Sequence, residues 1–198
     1  MKIKIKVSFF FVLILFLSSS FRVFPQEFSG KISTANNEEY FEKVLTKIKE
    51  AKQSVYLIMY ISKYYDKYPK SPGNILLKEL AEAKKRGAKV EVIFNRGIRK
   101  EDSSLTKENM NTGAFLAKNG VTVLFDSEKK TTHSKLLIID EKYVVIGSTN
   151  WTYYALAFNN ETAVIIESVP LAKDYVKYFE KVKKECIFLL KPSNIPSK

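Results

Sequence analysis

Val55-Tyr56-Leu57-Ile58-Met59-Tyr60-Ile61 is an unbroken apolar run of strand length. Without polar alternation, such a run belongs to a strand covered on both faces. After a Tyr-, Lys- and Pro-rich loop from Tyr64 to Gly73, Asn74 reads as the cap of a helix whose stripe is Ile75, Leu76, Leu80, Ala81 and Ala83, and Gly87 stops it. Lys89-Val90-Glu91-Val92-Ile93-Phe94 then returns as a second strand. Strand, helix, strand is a crossover unit, and it requires a parallel pair. The fold expected is α/β: a mixed, largely parallel sheet flanked by helices on both faces.

The flanking sequence extends this plan. Upstream, Asn36 or Asn37 caps a helix with Glu38 and Glu39 in its first turn, and Tyr40, Phe41, Val44, Leu45 and Ile48 on its inner face, ending near Gln53. Downstream, Asn95 to Glu108 reads as a mobile polar loop, followed by a short helix through Phe115 and Leu116 that ends at Asn119-Gly120. Val121 to Phe125 is a third strand. Leu136 to Asp140 and Tyr143 to Ile146 form a tight hairpin, and Glu161 to Ile166 is the last strand. Pro170 opens a final helix that buries Leu171, Tyr175, Val176, Phe179 and Val182, with Cys186 as a small buried hydrophobe in its last turn. No internal repeat is present.

Composition bounds the chemistry. In 198 residues, 45% hydrophobic content with 7 Gly and 6 Pro excludes collagen-like, low-complexity and wholly disordered chains. One Cys allows no intrachain disulfide and no structural zinc site of the usual kind. One His means that chemistry needing two imidazoles must take the second from another chain. With 33 Lys+Arg against 21 Asp+Glu, the net charge is +12. Lys2, Lys4 and Lys6 precede an apolar run from Val7 to Leu17 and then Ser18-Ser19-Ser20, the order of a secretory signal. The chain is therefore expected to be exported, to the periplasm or beyond, or held in a membrane by an uncleaved segment. Removing residues 1–20 with their three lysines leaves 178 residues and a charge of +9, so the basic excess belongs to the folded part. The expected division is a signal (1–20), a linker (21–35), a folded domain (36–188) and a flexible tail (189–198).

The chemistry concentrates between His133 and Glu161. His133 and Lys135 are two apart, so on an extended backbone an imidazole and an ammonium leave the same face. Gly147 and Ser148 end the hairpin's second strand beside them, and backbone N–H groups, a hydroxyl and the Asn150 amide complete donors that suit a tetrahedral phosphate. Asp140, at the end of its strand, reads as structural, satisfying hairpin backbone or pairing with a lysine. Trp151, Tyr153 and Tyr154 read as core packing ahead of a wall for stacking nucleobases.

His133-x-Lys135-x4-Asp140-x6-Gly147-Ser148-x-Asn150 resembles the signature of the phospholipase D superfamily, with every spacing met. With one copy of the motif and an export signal, the layout is similar to the small bacterial endonuclease branch and its mitochondrial cardiolipin hydrolase relatives. The resemblance implies that His133 attacks phosphorus to form a phosphohistidine, that a second His protonates the leaving alkoxide, and that water then hydrolyses the intermediate. Lys135 and Asn150 would hold nonbridging oxygens, and neither metal nor other cofactor is required. Glu161, 28 residues after His133, would accept from its imidazole, and Ser148 would support the site. With one His in the chain, the resemblance implies a homodimer that completes the active site.

The signature identifies a bond and leaves the groups around it open. Lys63 to Lys70, Arg96 to Lys100 and Lys129-Lys130 are basic loop tracts, and nonspecific nucleic acid is the first expectation for substrate. The alternative is an anionic phospholipid headgroup, met by basic loops with Tyr64, Tyr65, Tyr68 and Ile98. A non-catalytic binder of phosphate-rich polymer has no use for a nucleophile with an orienting carboxylate.

Overall fold

The structure is a computed structural model that describes residues 26–97, 103–127 and 129–190; the expected signal, the start of the linker, Ile98 to Lys100 and the last eight residues of the tail lie outside these. In chain order the elements are β1 (Lys31–Thr34), α1 (Glu38–Glu50), β2 (Ser54–Met59), α2 (Pro72–Lys85), β3 (Lys89–Phe94), α3 (Ser103–Lys118), β4 (Thr122–Phe125), β5 (Lys135–Ile139), β6 (Tyr143–Gly147), α4 (Tyr153–Ala157), β7 (Ala163–Glu167), α5 (Val169–Glu185) and β8 (Phe188–Leu190). The strands form one sheet in the order β1-β7-β6-β5-β2-β3-β4-β8. None of the described helices is long and apolar enough to cross a membrane.

The crossover expectation holds at the centre: β2 pairs with β3, and β3 with β4, in parallel. The sheet is mixed but not largely parallel, since the other five pairings are antiparallel. The physical reason is in the connections. α2 and α3 each carry the chain back to the same end of the sheet, so β2, β3 and β4 run parallel as neighbours, whereas a short turn reverses β5 into β6 and α5 delivers β8 to the far edge, antiparallel to β4. Residues 31–34, read as linker, form edge strand β1 on β7, and Leu189 and Leu190, read as tail, lie in edge strand β8.

Side chains alternate between two cores. Val55, Leu57 and Met59 of β2 and Leu137 and Ile139 of β5 face one cluster, which α1, α2 and the buried end of α3 cover. Tyr56, Ile58, Leu136 and Ile138 face the other, closed by α5 through Ala172 and Phe179. The apolar runs of β2 and β5 are unbroken because helices cover both faces. Tyr175, Val176 and Val182 pack against this second cluster only partly buried, as does Cys186, whose thiol pKa burial pushes up to about 12.

Three local readings change. Ser71, not Asn74, caps α2, followed by Pro72 in its first turn; Asn74 is buried and donates to the Tyr65 and Tyr68 carbonyls, folding the loop back. Asn37 occupies the N-cap position of α1 at φ 49°, yet its side chain caps no helical N–H and instead accepts from Glu161 N. α3 begins at Ser103, inside the stretch read as loop.

Candidate active site

Antiparallel pairing gathers the site at one end of the sheet. The start of β5 lies beside the end of β2, with Lys135 opposite Met59, and the end of β6 lies beside the start of β7, with Gly147 opposite Ala163. His133 leads into β5, Ser148 and Asn150 follow β6, and Glu161 leads into β7, so residues up to 28 positions apart converge. The group lies where parallel β2 meets antiparallel β5, at the carboxyl end of β2.

The approach to His133 is held by buried polar groups. Thr132 N–H donates to Asn95 Oδ1 at 2.9 Å and to Asp126 Oδ2 at 3.0 Å. Desolvation by burial raises the Asp126 pKa, against the donors that hold its charge. Asn109 of α3, fully buried, accepts from Ser62 N and donates to the Tyr60 and Asn95 carbonyls, each at 2.8 Å, which locks the ends of β2 and β3 together. Tyr60, held also by its N–H on Ser134 O, sets its ring 4.3 Å from the exposed imidazole of His133.

Lys135 completes this group. Its Nζ donates to His133 O at 3.0 Å, lies 3.4 Å from Nε2 and 3.5 Å from Nδ1, and stands 4.8 Å from the centre of the Tyr60 ring. Burial, and secondarily the adjacent ammonium, lower the His133 pKa below its ordinary 6.5, which favours the neutral ring. Burial likewise lowers Lys135, while the Glu161 charge raises it.

Glu161 is buried among polar partners. Its Oε2 accepts from Ser148 Oγ, its Oε1 accepts from Asn159 Nδ2 at 3.1 Å, and its backbone N–H donates to Asn37 Oδ1 at 2.8 Å. The resemblance implies an imidazole donor for this carboxylate; within the chain it is Ser148 and Asn159 that donate, and its charge reaches Lys135 electrostatically. Ser148 Oγ also accepts from Thr162 N at 3.1 Å, so one hydroxyl joins the two strand ends. Gly147 is required because a Cβ there would lie 2.6 Å from Ala163 Cα. Asn150 Oδ1 is buried without a hydrogen-bond partner.

Asp140 lies at the opposite end of the sheet. It occupies a left-handed turn position at φ 53°, and its carboxylate accepts from the N–H groups of Lys52, Gln53 and Ser54 at 2.7 to 3.2 Å. It thus holds the turn before β2, where the sequence reading expects it to satisfy its own hairpin or pair with a lysine.

Tyr60, Asn95, Asn109, Asp126, Asn37 and Asn159 escape a reading based on motif spacing. Tyr60 carries the one local signal, as the last aromatic of the central run. Trp151 is core, donating Nε1–H to the buried Tyr40 hydroxyl at 3.1 Å, whose pKa burial pushes up to about 12. Tyr153 and Tyr154 are not core. With Phe158 they form an exposed aromatic group on α4, ring centres 5.3 to 5.9 Å apart. The basic tracts are mixed: Lys63 pairs with Glu108 at 2.8 Å and Lys130 with Glu185 at 3.9 Å. Among the described residues no group of three or more His, Cys, Asp or Glu is placed to hold a metal ion.

Known proteins of similar sequence include the mitochondrial cardiolipin hydrolase of Mus musculus, 29% identical over 102 residues, which cover 50% of this chain and 46% of that protein. A phospholipase D of Rickettsia typhi is 27% identical over 134 residues, 68% of this chain and 58% of that one. The chain thus spans about half the length of the curated relatives it matches. Among solved structures, Nuc from Salmonella typhimurium, a phospholipase D family member, superposes with a TM-score of 0.68 at 23% identity, covering 82% of this chain and 99% of that chain. NucT from Helicobacter pylori does so at 0.61 and 19%, covering 80% and 99%. At these identities the two structures speak to the fold. The family model described as "Cardiolipin synthase, PLD-like domain" matches residues 44–183, which span both strand ends of the site, and the chain belongs to that phospholipase D-like family.

Proposed function

We propose that this chain is an exported phosphodiester hydrolase working through a phosphohistidine at His133, that it acts as a homodimer, and that nucleic acid is its substrate. The observation that carries the chemistry is the grouping of an exposed imidazole with a partly buried ammonium 3.4 and 3.5 Å from its two ring nitrogens. In the first step a His133 nitrogen bonds to phosphorus as the P–O bond to the leaving alkoxide breaks. The alkoxide takes its proton from the imidazolium of a second copy, since the chain has one His. Water then attacks phosphorus, gives its proton to that second imidazole, and the N–P bond breaks. Lys135 and the Asn150 amide hold the nonbridging oxygens. Glu161 keeps Lys135 charged against its burial, and Ser148 and Asn159 fix Glu161. Export rests on the Lys2 to Ser20 pattern, and dimerisation on the single imidazole.

Nucleic acid is favoured by a net basic chain with exposed rings next to the site, which gives backbone attraction and stacking surfaces together. Phospholipid is the second reading, favoured by the names of the curated relatives. Purified protein and its His133→Ala variant, in chelator, are to be offered single- and double-stranded DNA and vesicles of phosphatidylcholine and of cardiolipin. DNA cleavage lost in the variant is expected; headgroup release alone would replace nuclease by phospholipase D. Activity that vanishes in chelator and returns with Mg²⁺ would overturn the phosphohistidine. Sedimentation showing an active monomer would overturn the dimer.

A further inference from the structure

Between the loop that joins β2 to α2 and the start of α4 opens a cleft of about 680 Å³, walled by Tyr65, Tyr68 and Tyr153 with Lys67 and Lys70; a serine and two prolines complete its lining. Its walls grow out of the two segments that form the site. Trp151 N–H donates to Ile61 O and Trp151 O accepts from Lys63 N, which ties the loop after Tyr60 to the segment after Asn150. The Tyr65 hydroxyl accepts from Tyr153 N at 3.1 Å, closing the two walls on each other. Asn74, buried beneath, holds the loop through the Tyr65 and Tyr68 carbonyls, so the cleft is built and not a gap between loose segments.

The lining identifies the occupant. No Leu, Ile, Val, Met or Phe is among the lining residues, whereas a site for an acyl chain is made of such side chains. Tyrosines with lysines suit a flat ring that stacks and an adjoining anion. Tyr68 is 67% exposed and Tyr153 is 40% exposed, and the Tyr154 and Phe158 rings continue the surface outward, Phe158 edge-on to Tyr153 at 5.3 Å.

We infer that this cleft is a nucleotide subsite, in which a base of a single strand stacks on Tyr68 and Tyr153 while a neighbouring phosphate meets Lys67 and Lys70. The inference rests on the nucleic-acid reading and adds to it a position: the strand enters His133 from the side of the loop between β2 and α2. Substrate selection by unstacked bases follows, because a base inside a duplex cannot enter.

The test uses the full chain, a Tyr68→Ala/Tyr153→Ala variant and a Tyr68→Phe/Tyr153→Phe variant, with a short oligothymidylate and bis(p-nitrophenyl) phosphate as substrates. The alanine variant is expected to raise KM for the oligonucleotide about tenfold or more and to leave the small phosphodiester unchanged, while the phenylalanine variant keeps the parent KM. Oligonucleotide cleavage unaffected by the alanine pair would overturn the subsite and leave the nuclease standing. No oligonucleotide cleavage by the parent protein, with phosphatidylglycerol vesicles hydrolysed instead and that hydrolysis lost in the alanine variant, would overturn both and assign the cleft to lipid. Loss of the small phosphodiester as well would mean that the rings support the fold, which also overturns the proposal.

Discussion

Lys135 Nζ is nearly equidistant from the two ring nitrogens of His133, 3.4 Å from Nε2 and 3.5 Å from Nδ1. In a neutral ring one nitrogen carries the proton and the other the in-plane lone pair, and an ammonium equally near both is aligned with neither direction. It acts on the ring through its field, and it leaves a nitrogen free to attack. Because His133 is the one histidine, its Cε1 proton is a single assignable NMR signal. Its titration is expected below 6.5, and Lys135→Gln is expected to raise it only part of the way back, since burial is the larger cause. A Lys135→Gln titration unmoved from the parent value would exclude the field effect. The sign for catalysis is the same: the nucleophile must be neutral, so the acid limb of kcat/KM lies below the ordinary imidazole value.

Glu161 acts on the ammonium. Burial lowers the Lys135 pKa and the Glu161 carboxylate raises it, so Glu161→Gln leaves burial unopposed. The Lys135 titration, followed by NMR of its ε-methylene, is expected to move to lower pH, with kcat reduced on the order of 10²-fold. Ser148→Ala, which keeps the carboxylate but removes its hydroxyl donor, is expected to lower kcat less and to leave that titration in place. A shift of equal size in both variants would show that the hydroxyl, and not the charge, governs Lys135.

These groups were legible to different degrees. Unbroken apolar runs announce β2 and β5 because both faces are covered, and the spacing from His133 to Asn150 marks residues that the fold gathers at one end of the sheet. The start of α3 escapes because it buries Leu105 alone ahead of Asn109, Thr112 and Gly113, polar or small residues that apolar periodicity does not register. They are buried for their hydrogen bonds: Asn109 and Thr112 fasten the backbone from Tyr60 to Tyr64 behind the site. Asn37 looks like a helix cap in a linear reading, whereas the fold brings in Glu161 N–H, 124 positions away, to take its side chain. Tyr153 and Tyr154 follow a fully buried Trp and read as core by association, while the short turn of α4 points them outward.

Asp140 separates stability from activity. Its carboxylate receives three backbone N–H groups at the turn before β2, at the end of the sheet away from His133. Asp140→Ala is expected to cost about 2–3 kcal/mol, since charge-assisted bonds are lost and their donors are left only to solvent. For a domain of this size that is a fall in Tm of about 5–10 °C. Asp140→Asn, which keeps an acceptor and tolerates the left-handed backbone, is expected to lose less. kcat per folded molecule, measured well below Tm, is expected to match the parent; a large drop would give Asp140 a part in the reaction that its position does not provide.

Gly147 couples stability and activity, and comparison with Gly87 shows why. Gly87 adopts φ 99° with nothing within 4 Å of an added Cβ, so alanine there meets backbone strain alone, about 1 kcal/mol. Gly147 has no such φ, but its Cβ would fall 2.5 Å from Ala163 Cβ and 2.6 Å from Ala163 Cα, and against the Thr162 carbonyl. Thr162 and Ala163 are backbone partners of Ser148 and Gly147, so relief requires β6 and β7 to part at their paired ends. That movement separates Ser148 from Glu161 and cuts the hydroxyl bridge to Thr162 N. Gly147→Ala is therefore expected to cost about 3 kcal/mol in urea unfolding and to lower kcat with it, whereas Gly87→Ala lowers stability alone. Equal activity in the two folded variants would mean that the β6–β7 junction tolerates displacement, and that the Ser148 to Glu161 contact is not part of what positions Lys135.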